Sequence, residues 1–576
     1  MAEPHQHASD AAEDPAGDAA EDPAGDVAGD VAGDARGSDL FFSAAAFVLA
    51  LLPRLYVAIA WAREPVWDGH YYDFGARRIA AGLGYSDDII VAGRAVWHPW
   101  CHYPVGYSGF LGLIYKIFGS GPLVAPVANA VMGALLVVVV HRLARLATTP
   151  SRARLAAALA ALSPGLVLYT AVLMTEPLAA LGTLLPAWLL ARDLTATSPA
   201  LGPRRLWGPS WIRGALLAGL ALGLTTLVRP QTILCAPALA LVAAFSNPPA
   251  RPARPARPDA PSAPALTLAL AGDRAAVWRR AGAAAGIALA VALAVVAPWT
   301  IRNCRVMDGC AFVSTNGGWN LAIGAFPRAT GRFETLRAGD GCSAVRGQVD
   351  QDRCWMQQGR RWILEDPARW LGLVPKKLGY TFDHESFPVG YLAEANPQAW
   401  PEERKARWRA ILSTWHRALL VVAPLGLVAL PRLRRRVRVP VPVPVRVRVQ
   451  VSESPAGPSS ARRPHRGRWG AIAAQAAALG LVIGLAIHAA QSDTHPFWLL
   501  AVVIPLLAAT PLPGRPPTGG VVGYLAFAVG SVVLTHAVFF GEDRYHLVVT
   551  PVLCILAACA LRGESGELPP EGVRWR

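Results

Sequence analysis

The feature that most constrains this sequence is a series of long apolar stretches, each about the length that crosses a ~30 Å hydrocarbon layer as a helix. Twelve are read, at 40–61, 121–140, 153–169, 176–192, 211–228, 230–246, 281–299, 411–430, 470–489, 496–512, 520–540 and 546–561. A shorter apolar segment at 105–119 is read as a re-entrant or interfacial helix. Only helices or closed barrels span lipid, because unpaired backbone groups are costly there. Unbroken Ala, Leu and Val runs fit helices, whereas barrel strands would alternate over short segments. The expected fold is an all-α polytopic membrane protein.

Loop charge orients it. The chain has a formal net charge of +16, with 16% charged residues against 53% hydrophobic. Residues 1–39 hold eleven acids and one base, Arg36, leaving 54 Lys+Arg against 28 Asp+Glu in the rest. A basic soluble protein would suggest nucleic acid. Here the arginines sit in loops beside apolar runs, at 141–154, 193–213, 247–280 and 431–469, so no nucleic-acid partner is expected. With both termini on one side, all four loops share that side, and the positive-inside rule makes it cytoplasmic. The loops at 62–104 and 300–410 then lie on the outer, periplasmic side of a cell inner membrane. The resulting plan is an acidic disordered tail at 1–39, with the wrong charge for a signal peptide, and a transmembrane module at 40–299. An outer domain at 300–410, C-terminal helices at 411–562 and a cytoplasmic tail at 563–576 complete it.

Four of the eight cysteines, Cys304, Cys310, Cys342 and Cys354, fall in the long outer loop, where disulfides are permitted. Cys304–Cys310 with Cys342–Cys354 is one of three pairings.

Charge at span ends marks candidate chemistry. Asp68 lies just beyond the first span and reads either as the N-cap of a helix over 69–82 or as a carboxylate able to take a proton from an acceptor hydroxyl. Asp73 and Arg77 have the spacing of a helical ion pair. Glu176, in Thr175-Glu176-Pro177, opens the fourth span. Arg229, Arg302 and Arg544 sit at outer span ends, where guanidinium groups suit a phosphate. His98 and His102 are metal-ligand candidates without a third partner nearby. Asn316 lies in the polar stretch 314–321, either a turn or a sugar-contacting loop. There is no P-loop, dinucleotide fingerprint, G-x-S-x-G or H-E-x-x-H, which argues against a nucleotide-sugar or ATP-driven mechanism.

Several motifs recur in a familiar order. An acid after the first span (Asp68) precedes Tyr72-x-x-x-Ala76 and Gly82-Leu83-Gly84-Tyr85. Then come Pro104-Val105-Gly106-Tyr107, Phe118-Gly119, a T-E-P at 175–177, P-W-T-I-R-N ending at Asn303, and Arg544-Tyr545-His546 before the last span. The chain resembles the GT-C glycosyltransferases of the protein O-mannosyltransferase and aminoarabinose-transferase type over about residues 40–562. That resemblance implies a bundle of about 12 transmembrane helices and transfer of a sugar from a polyprenyl-phosphate donor to a lipid, glycan or protein. Asp68 and Glu176 would be catalytic. Tyr72, Asp73, His102, Tyr107, Arg229, Arg302, Asn303, Asn316, Arg544 and His546 would bind substrate. No cofactor is specified, and a divalent metal is left open, with His102 a candidate ligand in place of an acid. Protein mannosyltransferases follow the first-loop Asp with Glu, whereas Gly69 stands here. The competing expectation is a secondary transporter or flippase for a lipid-linked or anionic substrate. Such proteins often carry internal repeats, and none is found between the two halves.

Overall fold

The computed structural model describes residues 23–195, 210–245, 263–429, 466–510 and 518–561. The acidic segment before residue 23, the proline- and arginine-rich stretches 246–262 and 430–465, Arg204 and Arg205, and the C-terminal tail lie outside these residues. Two units are distinguished, Met1–Phe42 and Ser43–Arg576.

The elements run α1 (Pro23–Ala60), α2 (Asp68–Ala80), β1 (Ser86–Val91), β2 (Arg94–Pro99), α3 (Val105–Phe118), α4 (Val124–Ala147), α5 (Pro150–Leu162) and α6 (Pro164–Leu168). Then follow α7 (Glu176–Thr195), α8 (Ser210–Val228), α9 (Leu239–Phe245), α10 (Ala263–Val306), α11 (Gly317–Ile323), α12 (Gln348–Glu365), α13 (Pro367–Gly372), α14 (Val374–Phe382) and α15 (Phe387–Ala395). The chain ends in α16 (Glu402–Ala429), α17 (Arg466–Gln491), α18 (Trp498–Ala509), α19 (Gly520–Val538) and α20 (Thr550–Ala558). The architecture is thus helical and polytopic, as the apolar runs require. The first helix begins inside the segment read from sequence as an acidic tail.

Each of the twelve apolar segments contains a helix, but they differ in kind. Among the described residues seven helices are long and apolar enough to cross a membrane: α1, α4, α8, α10, α16, α17 and α19. The segment at 153–169 is bent by 52° where Pro164 opens α6, since proline removes a backbone donor and clashes with the preceding turn. The segments at 230–246, 496–512 and 546–561 give shorter apolar helices, as does 105–119. Helix α4 is two-thirds buried (67%) over its apolar window, whereas α17 is only 17% buried, so α4 is a core helix and α17 presents its Leu and Ile side chains outward. Arg54 of α1 is fully buried and donates to the carbonyls of Ala50, Ala160 and Ala161, tying α1 to α5. Arg152, in the first turn of α5, donates to the Leu561 carbonyl beyond α20, which puts the start of α5 at the same end as the close of the last helix.

The segments 62–104 and 300–410, expected to be the outer loops, fold as follows. The stretch 86–99, left as plain loop by sequence reading, is an antiparallel hairpin in which Val91 pairs with Arg94. Its two turn residues, Ala92 and Gly93, both have positive φ (51° and 78°), the requirement of a type I′ turn. Alanine is a poor signal for that turn, which is why the hairpin was not legible. The long outer loop folds around Trp355, packed with Phe326, Trp362, Phe540 and Tyr545. Asp352 accepts the Gly318 and Trp319 amides at the start of α11. Disulfides join Cys304 to Cys310 and Cys342 to Cys354, which selects one of the three pairings.

Trp355 is fully buried in this cluster. Trp355→Ala is expected to cost about 3–5 kcal/mol locally. Limited proteolysis of the purified protein should then cut within 300–410 at lower protease concentration, while the membrane helices stay intact.

Candidate active site

The site is assembled around the start of α2. Trp67 is held at φ 51°, a costly conformation for a bulky residue, and its ring packs edge-on against Phe387 and Tyr391. The Tyr391 hydroxyl accepts the Val66 amide. A Cβ at Gly69 would lie 2.3 Å from that hydroxyl and 3.0 Å from the Leu173 carbonyl, so only glycine fits beside it. This accounts for the departure from Asp-Glu noted in the sequence. Helix α2 starts at Asp68 itself, with Trp67 as the N-cap residue, so Asp68 is not the cap that one sequence reading assigned.

The Asp68 carboxylate is gripped on both oxygens. The Tyr103 hydroxyl donates to Oδ1 at 2.9 Å, and Arg544 Nη1 donates to Oδ2 at 2.6 Å. Arg544 also faces Glu542 (Nε to Oε2, 3.1 Å) and Glu176 (Nε to Oε1, 3.9 Å). Glu176 is bound in turn by Arg229, at 2.7 Å. Both guanidiniums lie 5.1 Å from the Tyr545 ring centre, and Arg544 is equally close to Phe387. Three carboxylates therefore meet two guanidiniums, a formal charge of −1 when all are ionised. The Asp68 and Glu542 side chains are 24% and 23% exposed against 2% for Glu176, so Asp68 and Glu542 are the carboxylates a ligand can reach. Burial alone would raise the Asp68 pKa, but Arg544 and the Tyr103 hydrogen bond outweigh it and hold it below the usual carboxylate value. Burial pushes Glu542 up to about 7, with Arg544 opposing incompletely. His102 is pushed down by burial, against the pull of Asp68. It sits edge-on to Tyr103 and Trp319.

The structure thus brings together Asp68, Glu176, Arg229, Arg544 and His102 with Tyr72, whose ring lies between Tyr103 and Tyr107. Tyr107 stands behind, donating to Asn129. Other expected residues are engaged elsewhere. Arg302 donates to the carbonyls of Trp100 and Tyr85 and pins the first outer loop rather than joining the cluster. Asn303 is buried and binds the Ala311 and Val313 carbonyls. Asp73 pairs with Arg77 at 2.6 Å and accepts from Tyr115. Asn316 bonds Ser314 within its own turn. His98 pairs with Asp87 on the hairpin instead of with His102. His546 is fully buried beyond the site. Sequence reading missed Tyr103 and Glu542, though each adjoins or shares a motif with a residue it named. A small cleft, with a cavity volume of only about 20 Å³, lies beside Arg229 and Tyr545 between Thr232, Ala528, Val532 and Val548.

Residues 102–270 match the family described as dolichyl-phosphate-mannose-protein mannosyltransferase. That segment contributes His102, Tyr103, Glu176 and Arg229 to the cluster, while Asp68, Glu542 and Arg544 come from outside it. Among curated protein sequences none matches the chain. Among solved structures, the oligosaccharyltransferase of Archaeoglobus fulgidus tethered with an acceptor peptide is similar at 13% identity and TM-score 0.39, over 90% of this chain and 49% of that one. The same organism's AglB in complex with an inhibitory peptide and a dolichol-phosphate gives 13%, 0.39, 90% and 50%. ArnT from Cupriavidus metallidurans bound to undecaprenyl phosphate gives 15% and 0.30, over 89% of this chain and 78% of that one. The chain spans about half the length of the archaeal enzyme.

Gly69→Ala should force Tyr391 away and displace Asp68. A lower thermal midpoint is expected, partly restored by adding Tyr391→Phe, which removes the hydroxyl that the new methyl group meets. Equal midpoints for the single and double variants would show that the contact does not position α2.

Proposed function

We propose that this chain is a multi-pass membrane glycosyltransferase that takes a sugar from a polyprenyl-phosphate donor, with its site on the face away from the basic loops, the periplasmic face of an inner membrane. The observation that carries this reading is the reachable carboxylate of Asp68, kept ionised by Arg544 and Tyr103 beside a second guanidinium, Arg229. The mannosyltransferase family match over 102–270 supports the donor class.

In this reading Asp68 accepts the proton of an acceptor hydroxyl as its oxygen attacks the anomeric carbon. The bond from that carbon to the phosphate oxygen breaks, and its electrons leave on the lipid phosphate with inversion at carbon. Arg544, with Arg229, stabilises the charge that develops on the phosphate. Tyr103 keeps Asp68 aimed. The acceptor is a hydroxyl of a lipid, glycan or protein, and the donor sugar a hexose or pentose.

Sugar transfer in lipid nanodiscs, from a panel of labelled polyprenyl-phosphate sugars to membrane extract, tests the reading. Asp68→Asn should lower turnover by about 10²–10⁴-fold, the usual contribution of a positioned base. Donor crossing the bilayer without cleavage would replace the enzyme by a flippase.

The acidity of Glu542 predicts a pH dependence. Below about pH 7 it is neutral and leaves Arg544 to the phosphate. As pH rises through that value it ionises and competes, so KM for the donor should rise. Glu542→Gln should flatten this limb, and an unchanged profile would assign it to another group.

A further inference from the structure

Beyond the cluster at Asp68, the geometry points to a buried metal-binding site formed by Glu385, His416 and His546, taking a divalent first-row transition ion such as zinc. These residues are 2%, 1% and 0% exposed. One potential ligand atom from each lies within 4.8 Å of those of the other two. They come from three separate parts of the chain: the turn after α14, the middle of α16 and the segment following Arg544.

The hydrogen bonds of the two imidazoles select the atoms. His546 Nδ1 lies 2.8 Å from the Thr381 carbonyl, and His416 Nε2 lies 2.9 Å from the adjacent Phe382 carbonyl. A carbonyl only accepts, so these nitrogens carry the protons. The remaining nitrogens, His546 Nε2 and His416 Nδ1, are then bare lone pairs. Those two atoms and Glu385 Oε1 are buried without a hydrogen-bond partner among the described residues. An outward N–H on a backbone carbonyl and an inward lone pair is the usual second shell of a metal-bound histidine. Left to themselves, two lone pairs beside a buried carboxylate set acceptor against acceptor. A cation resolves that conflict.

The surroundings are built to hold the carboxylate. Ser413, on the same helix as His416, accepts the Glu385 amide and donates to its carbonyl. A Cβ at Gly165 would lie 1.8 Å from Glu385 Oε1, so the bend between α5 and α6 leaves room that a side chain would fill. Glu385 Oε2 stands 3.6 Å from His546 Nε2, too far for a good hydrogen bond. An ion with bonds of ~2.0–2.1 Å would draw the three ligands together. Two neutral imidazoles and one carboxylate suit zinc, with a fourth position left for water. The ion would fix His546, two residues beyond Arg544, and so hold the guanidinium segment in place without contacting substrate.

The test uses the full-length protein in nanodiscs, stripped with chelator and titrated with Co²⁺ and with Zn²⁺. The expected result is uptake of about one ion per chain, a Co²⁺ visible spectrum typical of four-coordinate nitrogen and oxygen ligation, and a higher thermal midpoint with Zn²⁺. His416 stacks on His546 with ring centres 3.6 Å apart; His416→Phe keeps that stack and Glu385→Gln keeps the shape, and each should weaken binding by at least ~10-fold. If the variants do not fold, X-ray absorption on the wild type decides: two imidazoles and a carboxylate support the site, while sulfur or water-only ligation overturns it. No stoichiometric uptake by the wild type, or undiminished uptake by folded variants, also overturns it, the cation then being a shared proton. None of these outcomes depends on sugar transfer.

Discussion

The ion pair between Asp68 and Arg544 is the interaction on which the outer end of this molecule depends. Taking either charge out of water alone is unfavourable by several kcal/mol, and the pair recovers this only with good geometry and further hydrogen bonds. Both conditions are met. Tyr103 satisfies the second carboxylate oxygen, and Arg544 is shared with Glu542 under the faces of Phe387 and Tyr545. Each partner is brought in by a different constraint. Asp68 is set by the positive φ of Trp67 and the missing side chain of Gly69, whereas Arg544 is set by the packing of its segment against the outer module. Because Asp68 is held below its ordinary pKa, its contribution to stability is complete above the unfolded value of ~3.9 and is lost as pH falls through the folded one.

The network also explains why so few charges make a useful surface. Arg229 binds Glu176 tightly and leaves Asp68 as the more exposed acid. The two guanidiniums face the same tyrosine ring, so an arriving phosphate would meet two cations side by side, each already desolvated. Its arrival would release a carboxylate from Arg544, and Glu542, held near neutrality, is the one that can take up a proton.

Much of this was legible in the sequence, and what was not has identifiable causes. Span-length apolar runs dictated helices, and the positions of Asp68, Glu176, Arg229 and Arg544 at span ends marked them because charge is rare there. Arg302 obeyed the same rule for a different reason: it braces two backbone carbonyls, and sequence holds no record of which acceptors a guanidinium will find. Tyr103 and Glu542 were hidden among neighbours of similar type, since an interfacial tyrosine or a loop acid is ordinary until its partner is known. The bend at 153–169 was not drawn although Pro164 stood in plain view, and the segments at 230–246, 496–512 and 546–561 gave helices shorter than the spans expected there. Of the buried group Glu385, His416 and His546, only His546 stood in a motif, and nothing in the sequence tied it to the other two, because they are scattered along the chain.

That scattering has a consequence during synthesis. Asp68 and Arg544 are 476 residues apart. At a translation rate of ~5–20 residues per second, Asp68 waits roughly 20–100 s for the guanidinium that neutralises it, whereas Glu176 meets Arg229 much sooner. Throughout that interval the acids must stay in contact with water or with Arg229, and the early helices cannot close over them. A product cut short before residue 544 would keep Asp68 without its guanidinium at a seam that never seals. Quality control in the membrane would have an unmistakable mark to read.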